Sequence, residues 1–542
     1  LHPVGVVLNA DSLSNVVPTV IDKSGHQVEE FEKDYLEEQQ FLKMDILPLT
    51  NLTIIKDCLN RIKESTGKEI NYYDIPWEDK DAINLIASGR TMGLFQLESK
   101  GMRNAIKQIK PTEFEDIVAL VALYRPGPMA NIPAYAKRKA KLEQVPYVSE
   151  ALKDILAPTY GVIVYQEQIL QIANKVAGFS LGQADLFRRA ISKKKEDQIL
   201  ALKDSFIKGC IDNGYSKKDA QTIYDYIYKF ADYGYNRSHS LVYSIVACQM
   251  AYLKAHYPTD FYASILKLGD YSTKDGTFNA IINEIKALNI QIKTPDVNNG
   301  FLSYRISNGR LEFPLTAIRD LQANHAVDIV NERKAFGSYK DFFDFVIRAS
   351  KYRISQKEIS ALINAGAFDS FGKNRTSLRN AIISAIQYAN AICDSTGQMI
   401  IDAALLPPPM IKEVESDMFE DLQLENAALG YMVTGSPLSL VKDKIKNIRV
   451  TNIIDIENSN GDITLVAVIK NIKNKVTKKG DQMVIATIYD DTGETDVLIF
   501  SNILQTCSSV LAKNQVVVLN GYYSQKKDKF KFSITSVNKL ED

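Results

Sequence analysis

The stretch LLPPPM, residues 405–410, divides the chain of 542 residues into two regions of different character. Consecutive prolines cannot continue a helix, because the ring removes an N–H donor and clashes with the preceding turn. Before this break, apolar residues recur mostly at helical spacing. After it, short β-branched runs alternate with Gly and Asp turns. The sequence therefore predicts a multidomain α+β protein with a linker at 406–440.

The C-terminal region, 441–542, is predicted to form an OB-type β-barrel. It contains the strand-like runs GDITLVAVIKNIKN, DQMVIATIYDD, TDVLIF and QVVVLNGYYSQKKDKFKFSI. About five short strands in about a hundred residues are typical of this barrel. The same barrel serves many ligands, so the fold alone does not identify one.

The region before the prolines divides further. Residues 1–50 combine strand-like runs with an acidic helical stretch, and 51–270 are mainly helical, with a turn at YRPGPM (124–129). A second mainly helical region covers 271–405. At about 100–200 residues per domain, three or four domains are expected.

Composition excludes several classes of protein. Lys plus Arg equals Asp plus Glu, at 65 each, so any nucleic-acid contact must come from local basic surfaces. The five cysteines form no C-x-x-C pair, which argues against zinc and disulfides and favours a cytoplasmic location. No apolar run reaches the ~18 residues of a membrane span. No P-loop or H-x-x-x-H motif occurs. Because the chain begins at Leu1, within strand-like sequence, we interpret it as a piece of a longer protein.

The stretch FLKMDILPLT (41–50) places one acidic residue in an apolar run. In a strand, Lys43 and Asp45 share one face and the apolar residues take the other. A charged pair on a mostly buried strand is costly unless it is paired or used. From this stretch alone, an aspartate that ends a strand and a functional carboxylate both remain open.

The stretch LFRRAISKKK (186–195) carries the densest positive charge in the chain. Five cations within two helical turns repel one another unless an anion is present, and arginine's planar fork suits phosphate oxygens. The alternative is a solvated helix face. The cations are Arg188, Arg189, Lys193, Lys194 and Lys195.

The stretch FADYGYNRSHSLVYS (230–244) crowds aromatic and polar residues around Gly234. Aromatic rings beside Asn and His could stack on a base and hydrogen-bond a sugar or phosphate. An ordinary helix start, capped by Asn or Ser, is the alternative. The candidate residues are Tyr235, Asn236 and His239.

Together these stretches resemble the C-family bacterial replicative polymerases, the DNA polymerase III alpha subunits. The resemblance runs over essentially the whole chain. It implies template-directed DNA synthesis, with the end of a mixed-sheet palm at 1–50, large helical fingers at 51–270 and a helix-hairpin-helix region at 271–405. The matching stretches are MGLFQLESKGMR (92–103), FEDIVALVALYRPGPM (114–129), YGVIVYQEQIL (160–170), DLFRRAISKKK (185–195) and FADYGYNRSHSLVYSIVACQMAYLKAHYP (230–258).

The resemblance assigns roles to individual residues. Family members place a catalytic aspartate in a palm strand two residues after a lysine, as in LKMD here. Asp45 would then bind Mg²⁺, and Lys43 would contact the incoming dNTP. Two Mg²⁺ ions and cations on the phosphates are what nucleotidyl transfer requires. The other nucleotide-binding residues implied are Arg188, Arg189, Tyr235, Asn236 and His239.

Two departures from the family limit this expectation. The only Asp-x-Asp in the chain, Asp79 and Asp81, lies in a polar helix start and cannot be the family's catalytic pair. The Mg²⁺ site therefore needs carboxylates missing from this chain, which we expect to be inactive alone. In the helix-hairpin-helix, Asp320 and Gln322 replace glycines that let backbone N–H groups approach a phosphate. This replacement weakens the expectation of duplex binding.

The remaining predicted contacts concern DNA and protein partners. ESDMF (415–419) resembles the family's sliding-clamp peptide, with Met418 and Phe419 as anchors; the alternative is two apolar residues tucked onto the core. The expected partners are primer–template DNA, dNTP, single-stranded template, the sliding clamp and other replisome subunits, with no membrane. The predicted DNA-binding lysines are Lys193, Lys194, Lys473, Lys475, Lys478 and Lys479.

Two functions fit the basic motifs. The first is a DNA-directed DNA polymerase, and the second is a non-catalytic protein that binds single-stranded nucleic acid and tethers it to a clamp. The pair Lys43 and Asp45 discriminates between them. A binding protein has no need of a carboxylate that would repel phosphate, whereas a metal-dependent transferase requires one.

Overall fold

The computed structural model describes two compact units, Leu1–Tyr72 and Tyr73–Asp542. The described residues are 5–39, 41–46, 49–192, 196–230, 234–269, 271, 276–394, 400–401, 405–446, 448–459, 461–476, 480, 482–490, 492–526 and 529–540. Mixed helices and strands confirm the predicted α+β class.

The first unit contains two small sheets and one long helix. Strand β1 pairs antiparallel with β4, and β2 pairs with β3. Helix α2 buries Ile54, Ile55, Cys58 and Ile62. The elements are β1 (Gly5–Leu8), β2 (Thr19–Ile21), β3 (Gln27–Glu29), α1 (Lys33–Glu38), β4 (Leu42–Asp45) and α2 (Thr50–Thr66). The unit therefore includes the helix that the sequence analysis placed at the start of the fingers.

The expectation that β4 is mostly buried is wrong. Leu42, Met44 and Ile46 are 60%, 47% and 57% exposed. The predicted alternation is present, since Lys43 is less exposed than its neighbours on either side. Among the described residues β4 pairs with β1 alone, and a sheet of two strands cannot cover both of its faces.

In its described residues, the second unit begins with twelve α-helices. They are α3 (Lys80–Ala87), α4 (Lys100–Ile109), α5 (Phe114–Leu123), α6 (Ile132–Lys139), α7 (Lys153–Leu156), α8 (Gln166–Ala177), α9 (Leu181–Ser192), α10 (Glu196–Asp212), α11 (Lys217–Phe230), α12 (Arg237–His256), α13 (Pro258–Leu268) and α14 (Thr277–Lys286). Side chains from α8 to α11 share one core around Phe187 and Phe206, whose rings stack at 5.1 Å. Helix α12 packs against α3 and α5, and its Ser240 hydroxyl donates to the Val118 carbonyl.

The next region follows the helix-hairpin-helix expectation in its helical content. A sheet in the order β5–β7–β6 precedes four helices. The elements are β5 (Gln291–Lys293), β6 (Arg305–Ser307), β7 (Arg310–Glu312), α15 (Ala323–Phe336), α16 (Phe342–Ser350), α17 (Gln356–Asn364) and α18 (Arg375–Ile392). None of the described helices of the chain is long and apolar enough to cross a membrane.

The segment expected to be a linker contains ordered helices: α19 (Met418–Leu429), α20 (Pro437–Leu440) and, just beyond it, α21 (Lys442–Ile445). Helix α19 buries Leu422 and Leu429. It therefore differs from a linker, because apolar residues that follow the prolines at helical spacing are packed into the fold.

The C-terminal strands close into a barrel in the order β10–β12–β11–β8–β9. Neighbours are antiparallel except β10 and β12, which are parallel at Leu498 and Ser533. Its core includes Leu465, Ala486 and Val517. The elements are β8 (Gly461–Val476), β9 (Gln482–Tyr489), β10 (Glu494–Phe500), α22 (Ser501–Cys507), β11 (Val516–Lys526) and β12 (Lys529–Lys539).

Candidate nucleotide-binding site

The two consecutive arginines of α9 share one carboxylate. Nη2 of Arg188 lies 2.8 Å from Oδ1 of Asp185, and Nη2 of Arg189 lies 2.7 Å from Oδ2. Hydrogen bonds from Arg188 lead the effects that lower the pKa of Asp185, so this carboxylate is ionised. Asp185 therefore supplies part of the negative charge that the sequence analysis expected from a ligand. Lys193, Lys194 and Lys195 lie outside the described residues.

The segment before α12 is held by backbone pairing. Tyr235 N–H donates to the Val164 carbonyl at 3.0 Å, and Gln166 N–H donates to the Tyr235 carbonyl at 2.9 Å. Asn236 caps α12, because its side-chain oxygen accepts from the His239 N–H at 2.8 Å. The capping interpretation of this stretch therefore applies to Asn236. The capping leaves its side-chain amide nitrogen as the group able to meet a ligand.

A row of contacting groups, with its ring pairs edge-to-face, runs along the start of α12. The Arg125 guanidinium lies 4.5 Å from the Tyr235 ring centroid, and the Tyr235 and His239 rings are 5.4 Å apart. The row continues through Tyr243, 4.1 Å from His239, to Phe95, 5.0 Å from Tyr243. Burial raises the pKa of Tyr235, so its hydroxyl stays protonated at neutral pH. The row offers flat faces for stacking and one exposed guanidinium.

Sequence reasoning missed Arg125, Tyr243 and Phe95. Tyr243 follows His239 by four residues, the spacing that places two side chains on one helix face, so a helical reading could have found it. Arg125 and Phe95 come from distant segments. Both lie in stretches that carry the family resemblance, and neither residue was assigned a role from the sequence.

Arg237, in the same stretch, is engaged within the fold. Its Nη2 lies 2.7 Å from Oε1 of Glu115. Its backbone N–H donates to both carboxylate oxygens of Glu167, at 3.1 Å. The hydrogen bond from Glu115 leads the effects that raise the pKa of Arg237. Arg237 therefore stabilises the start of α12.

Gln166 joins the two predicted clusters. Its side-chain Oε1 accepts from Nη1 of Arg188 at 3.1 Å, and its backbone N–H is the donor to Tyr235. The structure thus brings the C-terminal half of α9, with Arg188 and Arg189, next to the start of α12, with Tyr235, Asn236 and His239.

The first unit contains Lys43 and Asp45 on β4. Lys43 is opposite Val7 and Asp45 is opposite Gly5 in the antiparallel pair. Lys43 is half-buried. The side chain of Asp45 lies outside the described part of the structure.

The chain's Asp-x-Asp belongs to a helix start, as expected. Asp79 caps α3 by accepting from the Ala82 N–H at 2.8 Å, and His256 Nε2 lies 3.0 Å from the same carboxylate. Partial burial opposes ionisation of Asp79, but these hydrogen bonds outweigh it and lower its pKa. Among the described residues, Asp79, Asp81 and His256 form a trio close enough to hold a metal. The cap and the imidazole already engage Asp79.

The helix-hairpin-helix turn is closed by acidic groups. Asp320 has a φ of +64°, which glycine, asparagine and aspartate adopt most readily, and it forms a 2.7 Å ion pair with Lys357. The Gln322 N–H donates to Glu358 at 3.2 Å. The Glu358 carboxylate thus engages the backbone N–H of Gln322, one of the two positions where the sequence analysis noted a departure from glycine.

Met418 and Phe419 are the first two residues of α19. The Asp417 carboxylate accepts from the N–H groups of Phe419 and Glu420, both at 3.0 Å. Met418 is 57% exposed, whereas Phe419 is half-buried against Val466 and the outer face of the barrel. The alternative of a tucked side chain therefore applies to Phe419.

Two of the four predicted barrel lysines lie on the part of β8 beyond the core. Lys473 and Lys475 are exposed and pair across the ladder with Ile485 and Met483. Lys478 and Lys479 lie outside the described residues. The exposed half of β8 therefore carries positive charge where the strand leaves the core.

Comparisons with known proteins point to one family. Residues 1–48 match the family model described as the bacterial DNA polymerase III alpha NTPase domain, and 51–214 match the bacterial DNA polymerase III alpha subunit finger domain. Residues 289–378 match the helix-hairpin-helix motif. These matches fall in the order that the sequence analysis expected.

Curated relatives match over the whole chain. The DNA polymerase III subunit alpha of Bacillus subtilis is 36% identical over 545 residues, covering 100% of this chain and 49% of the relative. The subunit of Aquifex aeolicus is 35% identical over 549 residues, covering 100% and 46%. That of Thermus aquaticus is 33% identical over 528 residues, covering 95% and 43%. The chain thus spans about half the length of these relatives.

Proposed function

Because the chain belongs to the family of bacterial DNA polymerase III alpha subunits, we propose that it supplies the palm end, fingers and template-binding barrel of a DNA-directed DNA polymerase. The observation that carries the proposal is the convergence of Arg188 and Arg189 with the turn that holds Tyr235, through Gln166. A cationic fork beside an aromatic row suits a dNTP, whose triphosphate is an anion and whose base has a flat face.

In this proposal the triphosphate takes the place of Asp185 on the two arginines. Phosphate oxygens accept bidentate hydrogen bonds from guanidinium groups, and the exchange keeps each arginine paired with an anion. The base and sugar lie against Tyr235 and His239, with the Asn236 amide within reach. The preorganised cations hold the phosphates in line, which is the main contribution that a protein makes to phosphoryl transfer.

We assign Asp45 as one carboxylate for Mg²⁺ and Lys43 as a phosphate contact in the first unit. Bound Mg²⁺ would neutralise charge on the phosphates and on the primer 3′-oxygen. The donor set fits only in part, since one carboxylate does not hold two ions and Asp79 is already engaged by the α3 cap and His256. The chain alone is therefore proposed to be inactive, with the remaining ligands supplied by the full-length protein.

We further propose that the barrel is of the OB type and binds single-stranded template. Its five strands form one closed sheet, and the exposed lysines of β8 lie at one end. Lys193, Lys194, Lys478 and Lys479 remain proposed DNA contacts from the sequence. Met418 and Phe419 remain the proposed clamp anchors, and clamp binding would require Phe419 to leave the barrel. The other replisome subunits remain proposed partners.

The second candidate, a non-catalytic nucleic-acid-binding tether, would use the same barrel and basic helix. The fixed geometry of Arg188 favours the polymerase, because a tether does not need a second helix to orient its arginine. For such a tether, a substitution that abolishes nucleotide turnover would leave its nucleic-acid binding unchanged.

The test is replacement of both α9 arginines by alanine in the full-length protein. KM for all four dNTPs should rise together and turnover should fall, since phosphate contacts carry no base information. Arg310→Ala, which removes an exposed guanidinium from β7, is the matched control. An unchanged KM, or a defect confined to one nucleotide, would contradict the assignment.

A further inference from the structure

Gln166 contacts both halves of the candidate site with different atoms. Its side-chain Oε1 accepts from Nη1 of Arg188 at 3.1 Å, while its backbone N–H donates to the Tyr235 carbonyl at 2.9 Å. The approach is close, since a Cβ added at Gly234 would lie 3.2 Å from Cγ of Gln166. We propose that Gln166 is a positioning residue that orients Arg188 for the triphosphate, an inference that rests on the proposed function.

The guanidinium of Arg188 is held from two helices. Its Nε and Nη2 donate to Oδ1 of Asp185 at 3.1 and 2.8 Å, and its Nη1 donates to Gln166. A phosphate displaces a carboxylate by competing for the same charge. The Gln166 oxygen uses Nη1, whereas Asp185 uses Nε and Nη2, so a phosphate that replaces Asp185 on its edge leaves the Gln166 contact in place and the plane of the fork fixed.

The neighbouring arginine is in a different situation. Arg189 is 62% exposed, against 18% for Arg188, and its described ion pair is with Asp185. In the described part of the chain Gln166 bonds to Arg188 and not to Arg189. Preorganisation by Gln166 therefore applies to one arginine of the pair, which gives an internal control.

The Gln166 side chain can be changed without releasing the loop. The Tyr235 N–H bonds to the Val164 carbonyl, and both Glu167 oxygens accept from the Arg237 N–H. These contacts, and the bond from the backbone N–H of Gln166 to Tyr235, do not involve the Gln166 side chain. Gln166→Met keeps side-chain length and removes the acceptor, so the loop and the start of α12 should stay in place.

The experiment is a pair of double-mutant cycles in the full-length protein, with steady-state KM and kcat for each dNTP. Gln166→Met should raise KM roughly fivefold for every dNTP, the effect expected from loss of one hydrogen bond. In an Arg188→Ala background the same substitution should add nothing, because its partner is absent. In an Arg189→Ala background it should raise KM by the full factor.

The thermal midpoint of Gln166→Met should equal that of the wild type, which excludes general unfolding. An unchanged KM in this variant, or equal effects in both arginine backgrounds, would overturn the inference while leaving the site assignment in place. If Arg188→Ala itself leaves KM unchanged, the assignment of Arg188 to the triphosphate fails and the inference fails with it.

Discussion

Nη1 of Arg375 lies 2.6 Å from Oε2 of Glu425, and both side chains are buried. The pair joins α18 of the helix-hairpin-helix region to α19. Glu425 also accepts from the N–H groups of Val433 and Thr434 and from the Thr434 hydroxyl. Six donors thus meet at two carboxylates, because Nε and Nη2 of Arg375 donate to Asp369 on the other side of the fork.

Glu425→Gln should lower the free energy of unfolding of this region by roughly 3 kcal/mol, because it leaves a buried guanidinium undercompensated. Hydrogen exchange followed by mass spectrometry should show faster exchange in α18 and α19, while the barrel strands keep their rate. The exposed pair Lys373 and Glu413 provides the control: Lys373→Ala should leave exchange unchanged. Equal protection in Glu425→Gln and wild type would mean that the buried pair does not hold these helices together.

A second prediction concerns the carboxylate on β4. Asp45→Asn in the full-length protein should reduce kcat by orders of magnitude and leave primer–template affinity nearly unchanged, because loss of a metal ligand affects the transition state more than DNA binding. Single-turnover nucleotide addition and a DNA-binding titration measure the two quantities. Asp11→Asn, at an exposed position of the same unit, is the control. Equal turnover in wild type and Asp45→Asn would remove Asp45 from the active site.

The sequence predicted what local patterns and motifs determine. The helical region, the strand-rich C-terminus and the arginine pair of α9 follow from periodicity and charge density. Gln166 was not identified from the sequence, because its partners, Arg188 and Tyr235, are distant along the chain and no local pattern encodes such a contact. The prediction that β4 is mostly buried was wrong, because the burial of a strand depends on how many strands flank it. The αL geometry of Asp320 could not be predicted from the sequence, because no local pattern specifies it.

A third prediction is the pH dependence of the helix-hairpin-helix region. Burial opposes ionisation of Glu358, but hydrogen bonds from Ser355, His325 and Gln322 outweigh it and lower its pKa to about 2. A carboxyl pKa below its unfolded value of about 4.5 stabilises the fold above pH 4.5, and this stabilisation is lost as the pH falls toward 2.

The measurement is the urea midpoint of wild type and Glu358→Gln at several pH values. Wild type should be more stable at pH 7, and the difference should shrink between pH 4.5 and 2. Because both proteins share every other titrating group, the difference isolates Glu358. A constant difference over this range would show that the ionised carboxylate contributes nothing.

A fourth prediction separates the two proposed clamp anchors. Met418→Ala removes an exposed side chain and should weaken clamp binding roughly tenfold without changing stability, as expected for a hot-spot residue. Phe419→Ala should weaken clamp binding and also loosen α19 from the barrel, because this ring packs against the buried cluster of Val466, Val468 and Val516. Distributive synthesis should stay at the wild-type rate in Met418→Ala, since tethering raises effective concentration and not chemistry. Full clamp stimulation in the double variant would place the tether in another segment.

The last prediction concerns the chain as it stands. It should bind single-stranded DNA with an affinity that falls steeply with salt, through the lysines of β8 and the basic end of α9. Each neutralised phosphate contributes about 0.7 to the slope of log K against log salt on single strands, so Lys473→Ala with Lys475→Ala should reduce the slope by about 1.4. A fluorescent oligonucleotide titrated at several salt concentrations gives the slopes. Lys217→Ala with Lys218→Ala, at exposed positions of α11, is the matched control and should leave the slope unchanged.

With Mg²⁺ and all four dNTPs the same chain should not extend a primer, because Asp45 alone does not hold two ions at the ~3.5–4 Å spacing of in-line displacement. Primer extension by the purified chain would show that its catalytic carboxylates lie elsewhere, and salt-independent binding would show that the basic clusters are solvated surface.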